Sequence, residues 1–212
     1  MSDATLTSIS TPDPSMDRLA PRPSRARNRL LVLVGVFILV AAAFSPNLLR
    51  PSLSPPNGNQ SGSWSALPSH REVLTTASVA AQTWPRLALR SVIAVPGARV
   101  VGAWIVEESV AAALDGTVDE SYYETGLEYL AAAMPGLDLE GDALPKSLDH
   151  GDTASLIILW DVDACDELVA NPDVSAALEA RTAVRTSRTV DLPDFAAPGF
   201  DIDLLRRSGI CP

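Results

Sequence analysis

The feature that most constrains this chain is an apolar run at residues 30–44, LLVLVGVFILVAAAF. Its fifteen residues include nothing more polar than glycine, and the uncharged stretch between Arg29 and Arg50 is twenty residues long. An α-helix rises about 1.5 Å per residue, so this stretch would be about 30 Å long, which matches the hydrocarbon core of a bilayer. The sequence therefore predicts one transmembrane helix over residues 30–49, with the lipid bilayer as its partner.

Arginines around this run predict its orientation. Five arginines precede it, whereas Arg50 is the only basic residue among the twenty that begin at position 50. Because the basic flank stays in the cytosol, we expect a cell-membrane protein with a cytosolic N-terminus and an extracytoplasmic C-terminal part. A cleaved signal peptide is the alternative, since Ala41, Ala42 and Ala43 supply the small residues needed for cleavage before Phe44. Both readings export the same C-terminal part.

Composition divides the rest of the chain. Residues 1–29 are rich in Ser, Thr, Pro and Arg, and residues 50–71 are rich in Pro, Ser and Gly, so we expect a disordered tail and an extended tether. Residues 72–212 remain as a single exported domain. The net charge of the chain is −10 although the tail itself is basic, so the domain is strongly acidic. Acidic surfaces repel phosphate backbones, and we expect no nucleic-acid partner.

Period-two alternation predicts a mainly β domain. Residues 87–95 alternate, and after Pro96 and Gly97 the chain continues at residues 99–106 as RVVGAWIV, which predicts a hairpin with Gly97 at a position of positive φ. Residues 154–162 form the clearest strand, and we expect its partners around residues 178–186 and 188–192.

Helical periodicity is confined to short segments. Residues 120–134 predict an amphipathic helix that Pro135 and Gly136 end. The expected core-facing residues of this helix are Tyr123, Leu127, Leu130, Ala131 and Met134. A second short helix is expected near residues 173–177 or 201–207.

Cysteine content agrees with export. Cys165 and Cys211 are the only cysteines, and an even number in an oxidising compartment is most simply a disulfide. A reactive thiol is the alternative. Two cysteines 46 positions apart, with only His70 and His150 as further ligands, do not form a zinc pattern.

Residues 143–165, ALPKSLDHGDTASLIILWDVDAC, resemble a pattern in exported actinobacterial proteins that carry a small immunoglobulin-like domain. The pattern has a Leu-Pro strand, a turn ending in Gly and an acidic residue, an alternating strand with a Trp, and then Asp and Cys. The resemblance covers residues 144–211 and, more loosely, residues 87–106. It implies an immunoglobulin-like sandwich with a short added helix and a bridge from Cys165 to Cys211. It carries over no active site.

Acidic residues after the clearest strand raise two chemical alternatives. Asp161 and Asp163 superficially match the first motif of haloacid-dehalogenase-type phosphatases, but Cys165 stands where that family has Thr or Val, and no lysine follows Lys146. The cluster of Asp161, Asp163, Asp166 and Glu167 offers oxygen ligands for calcium, although its spacing is not that of an EF-hand. A solvated acidic turn explains the same residues.

Tryptophans supply the remaining large apolar surface. Trp104 and Trp160 lie on predicted strands and are expected in the core, whereas Trp64 and Trp84 lie near the tether.

We therefore expect a single-pass anchored protein that presents a β-rich domain outside the cell. Nothing matches a nucleophilic-serine, phosphate-loop or metalloprotease motif, and no enzyme activity or cofactor is predicted. The expected role is binding of an envelope protein or polymer through a sheet face or edge. The rival hypothesis is a hydrolase or metal-dependent enzyme in which Asp161 and Asp163 converge with His150.

Overall fold

The computed structural model of the chain describes residues 25–44, 50–56, 61–114, 118–172, 174–182, 187–192 and 196–212. The chain divides into two units, Met1–Phe44 and Ser45–Pro212. Residues 45–49 of the expected transmembrane span, residues 1–24 of the expected tail and residues 57–60 of the expected tether lie outside the described residues.

One helix makes up the described part of the first unit. This helix, α1, is Arg25–Phe44. The apolar side chains of residues 30–34 and 36–41 are exposed, with Phe37 at 74% and Leu39 at 71%. Among the helices of the described residues, none combines the length and apolar character needed to span a membrane.

The second unit is mainly β. Its strands, in chain order, are β1 (Leu53–Ser54), β2 (Gly62–Leu67), β3 (Glu72–Ala81), β4 (Arg86–Ile93), β5 (Ala98–Val106), β6 (Lys146–Asp149), β7 (Thr153–Val162), β8 (Ala177–Thr182) and β9 (Ser187–Asp191). Its helices are α2 (Glu108–Ala112), α3 (Gly126–Ala133), α4 (Cys165–Ala170) and α5 (Ile202–Arg207), with 3₁₀ turns at Glu120–Tyr122 and Pro198–Asp201.

Two antiparallel sheets contain these strands. The first sheet has the order β1-β3-β7-β5, and β2 lies beside β1 on the same edge of β3. The second sheet has the order β6-β4-β8-β9. Side chains from both sheets form one buried apolar cluster, which includes Leu87 and Leu178 from the second sheet and Trp160 from the first. The two sheets therefore share a core.

β7 is central because both of its faces are apolar. Leu156, Ile158 and Trp160 enter the core shared by the sheets, while Ile157 and Leu159 point to the opposite face. A strand with both faces apolar must be covered on both sides. On that opposite face a second buried cluster includes residues of α3 and its C-terminus: Tyr129, Leu130, Ala133 and Met134. The strand predicted at residues 154–162 is confirmed, and so is the burial of Trp104 and Trp160, at 3% and 0% exposure.

The predicted hairpin is wrong. The turn exists, because Ala98 donates its N–H to the carbonyl of Val95 at 3.1 Å and Gly97 has a φ of 83°. However, β4 pairs with β6 and β8, whereas β5 pairs with β7 in the other sheet. Leu89 enters the shared core from the second sheet, and Ile105 enters it from the first. At this turn the chain therefore passes from one sheet to the other and does not form a hairpin within one sheet.

The predicted partners of β7 are also wrong. β7 pairs with β3 and β5, while β8 and β9 pair with each other. Alternation of apolar and polar residues identifies a strand but not its neighbours, because pairing forms between segments that are distant in the chain.

Residues 50–71 were expected to be a tether. They contain β1 and β2, whose backbones pair with β3.

The predicted helix at 120–134 is confirmed only in its second half. α3 begins after Thr125, whose hydroxyl accepts the N–H of Glu128 at 3.2 Å as an N-terminal cap. Of the expected core-facing residues, Leu130 and Met134 are buried and Ala131 is exposed. The short helix expected at 201–207 is confirmed by α5, whereas no helix forms in the described part of 173–177.

Candidate functional site

The acidic residues singled out from the sequence do not come together as one group of ligating side chains. Asp161 is partly buried and forms an ion pair with the guanidinium of Arg99. Asp163 is exposed, and Asp166 and Glu167 are exposed in the first turn of α4. Among the residues that the structure describes, no group of three metal-ligating side chains comes together.

The rival catalytic arrangement is also not assembled. His150 is exposed in the turn before β7, and its backbone N–H donates to the carbonyl of Pro85 at 2.9 Å. Asp161 lies at the other end of the same strand, on the order of 25 Å away at about 3.3 Å rise per residue. His150 therefore cannot act together with Asp161 and Asp163.

Asp161 belongs instead to a polar cluster at the start of β3. Glu72 pairs with Asp161 across the sheet, and its carboxylate lies beside the backbone of Gly126, the first residue of α3. Burial raises the pKa of the Glu72 carboxyl above its ordinary value, and the charge of Asp161 adds to this shift. His70, the Gly126 N–H and Arg99 oppose it. At this cluster the start of α3 lies next to the first sheet.

Cys165 and Cys211 form a disulfide, which confirms the predicted bridge. Cys211 is 3% exposed and belongs to the shared core, and no cysteine is free. A reactive thiol is thereby ruled out for this structure, and the bridge attaches the C-terminus to α4.

The concave surface best suited to a ligand is a groove between β4 of the second sheet and β5 of the first sheet. Its volume is about 400 Å³, within the range of small-ligand sites. We call it the edge groove. It is lined by residues 90–92 of β4, residues 100–104 of β5, and Leu127, Leu139, Ala143 and Leu144.

Two irregular strands shape the edge groove. The register of β4 shifts between Leu89 and Ser91, and that of β5 shifts between Val100 and Gly102, which leaves Val101 as the extra residue of a bulge. A Cβ at Gly102 would lie 2.3 Å from the indole of Trp104, so only glycine lets this ring lie against the strand. The indole N–H of Trp104 donates to the carbonyl of Leu139 at 3.0 Å, which fixes the ring in the groove wall.

Arg90 is the charged residue of the edge groove. It is exposed, and within the described part of the chain it makes no ion pair or side-chain hydrogen bond. The other lining side chains are apolar except Ser91. The groove therefore offers apolar contacts next to one uncompensated positive charge in a chain of net charge −10.

A second cavity, of about 590 Å³, opens between the ends of β5, β6 and β7. Its lining includes Glu107, Asp142, Lys146 and Asp152, and the ammonium of Lys146 is already paired with Asp142. Although this cavity is larger, the only cation in its lining is already paired, and we regard the edge groove as the stronger candidate.

Sequence reasoning missed the edge groove. One signal was available: a glycine inside the strand pattern RVVGAWIV, which is typical of a bulge or a close approach to the backbone. That signal does not show which other strand faces the bulge.

Comparison with known protein families, with curated proteins and with solved structures finds no match for this chain.

Proposed function

We propose that the chain is a binding module whose ligand docks in the edge groove. The observation that carries this proposal is the groove itself: an apolar concavity of about 400 Å³, shaped by two bulged strands, with the unpaired Arg90 in its wall. Bulges occur preferentially beside functional sites, and an apolar cavity with a few convergent polar groups is the usual form of a ligand site.

We also propose that the domain is immunoglobulin-like. The constant-type fold has strands A, B, E and D in one sheet and C, F and G in the other. If β1 and β6 are set aside, β2, β3, β4, β5, β7, β8 and β9 follow the order A to G and give the same two sheets. The segment from α2 to β6 then becomes an insertion between D and E, and the edge groove lies where this insertion meets strand D.

The proposed location is the outer side of a cell membrane, with residues 30–49 as the anchor and the N-terminus in the cytosol. This proposal is supported by the twenty uncharged residues between Arg29 and Arg50 and by the arginines before them. An envelope protein or polymer would then be the ligand class within reach of the edge groove.

Site-specific photo-crosslinking of the full-length protein in its native host tests the binding proposal. Val101, 37% exposed in the edge groove, is replaced by benzoylphenylalanine in one strain. Val169, 43% exposed on α4, is replaced in a control strain, because it is a similarly exposed valine outside the groove.

We expect an adduct from position 101 that is absent from position 169 and disappears when Arg90→Glu is added. Adducts of equal yield at both positions, or none at position 101, would show that the edge groove is not a binding site.

A further inference from the structure

We infer that the ligand of the edge groove is an extended peptide segment of another protein, which adds to the free edge of β5 and places an acidic residue against Arg90. This inference rests on the proposed binding function and specifies its partner class.

The chain itself already pairs with half of this edge. Ile105 donates its N–H to the carbonyl of Asp142 at 2.9 Å, and Leu144 donates its N–H to the carbonyl of Ala103 at 3.0 Å. Trp104 and Ala143 form the corresponding antiparallel bridge. Residues 142–144 therefore act as a short added strand beside the second half of β5.

Pairing on this side stops at Leu144. Pro145 follows it without an N–H to donate, and the chain then enters β6 in the other sheet. Beside residues 99–102, no described segment forms a backbone hydrogen bond on the outer edge of β5. An incoming strand antiparallel to β5 would continue the line of residues 142–144 for three or four residues, about 10 Å at 3.3 Å per residue.

Side-chain chemistry distinguishes this edge from the edge that β9 forms in the second sheet. β9, an edge of the second sheet, is short, and four of its five residues, Ser187, Arg188, Thr189 and Asp191, are exposed and polar. Polar residues on a short strand are a common protection against unwanted pairing. Beside β5, in contrast, the backbone edge borders an apolar groove, so alternate side chains of an added strand would be buried.

Charge specifies one residue of the ligand. Arg90 is the unpaired cation of the groove wall, while Arg99 at the start of β5 is already paired with Asp161. A carboxylate on the added strand would give Arg90 a charge-assisted hydrogen bond. The structure therefore favours a segment that alternates apolar residues and carries one acidic residue.

Selection from a displayed library of random linear peptides against the full-length chain tests this inference. We expect enriched peptides with alternating β-branched residues and one fixed acidic position. Each enriched peptide is then synthesised in four forms: unmodified, N-methylated at one alternate set of backbone amides, N-methylated at the other set, and with lysine in place of the acidic residue.

The dissociation constants of these peptides are then measured with the wild-type protein and with two variants. Arg90→Glu should weaken the unmodified peptide at least tenfold and improve binding of the lysine form, whereas Arg188→Glu, which changes an exposed arginine of β9, should change neither. N-methylation at one alternate set of amides should weaken binding at least tenfold, because it removes the hydrogen bonds to β5.

Three results would overturn the inference: no enriched peptide, binding that ignores the charge at position 90, or full tolerance of both N-methylated sets. If crosslinking at Val101 still gives a specific adduct, the binding function stands and the ligand belongs to another class, such as an envelope polymer. If crosslinking also fails, both proposals are wrong.

Discussion

Removal of the Cys165–Cys211 bridge should destabilise the second unit by an amount that the structure allows us to calculate. The bridge closes a span of 46 residues. In the loop-entropy description, a loop of this length restricts the unfolded chain by about 4 kcal/mol. Because this contribution acts on the unfolded state, it is lost even if the folded domain keeps its shape.

Other contacts will retain part of the C-terminal structure. Leu205 is 0% exposed, Ile210 is 3% exposed, and the N–H of Cys211 donates to the carbonyl of Leu205 at 3.1 Å. These contacts do not depend on the sulfur atoms. We therefore expect the double variant Cys165→Ala/Cys211→Ala to lose about 2 to 4 kcal/mol of unfolding free energy, with the fold preserved.

Urea unfolding of the full-length protein, followed by tryptophan fluorescence, measures this loss. Reduced wild-type protein is the matched control, since it breaks the same bond without a substitution. Limited proteolysis should show faster cleavage after Pro198 in both forms, because the freed C-terminus opens locally. An unchanged unfolding midpoint in the variant and in the reduced protein would refute the reasoning.

Three further substitutions test the core, the polar cluster and the turn. Thr75→Val should cost about 1 to 3 kcal/mol, because the buried indole N–H of Trp160 loses its acceptor at 2.9 Å; a double-mutant cycle with Trp160→Phe checks that the two changes are coupled. The raised pKa of Glu72 means that the folded state binds its proton more tightly than the unfolded chain does, so this group reduces stability as pH rises above about 4.5. Glu72→Gln should therefore gain stability relative to wild type at about pH 7 and less at about pH 4 in urea unfolding, and an equal difference at both pH values would contradict the assignment. Gly97→Ala should lower the unfolding free energy by about 1 to 3 kcal/mol in the same assay, since φ is 83° and the new Cβ would lie 2.3 Å from the carbonyl oxygen of Ala164; full stability would show that the turn can relax.

Local pattern was enough to predict some of this fold. Alternation of apolar and polar residues located β7, and the helical spacing of apolar residues located α3, which is the second half of the predicted helix. Pro96 and Gly97 marked the turn between β4 and β5. Each of these signals depends on residues that are neighbours in the chain. The disulfide was also predictable, because only one pair of cysteines exists.

Pairing between distant segments was not predictable in the same way. β3 is rich in Ala, Ser and Thr, so it lacks the strong alternation of β7 although it lies beside β7 in the sheet. β2 lies in a segment whose Pro, Ser and Gly content resembles a linker, yet its backbone pairs with β3. The edge groove depends on the placement of β4 and β5 in opposite sheets, which the turn between them does not encode.

Amide hydrogen exchange of the full-length chain, with and without a peptide from the selection, tests the central claim most directly. The account predicts slower exchange in residues 99–102 of β5 when the peptide is bound, and no change in Ser187–Asp191 of β9, the matched edge of the other sheet. Protection confined to β9, or a bound peptide that leaves residues 99–102 unprotected, would contradict the claim that this chain binds its partner at the edge of β5.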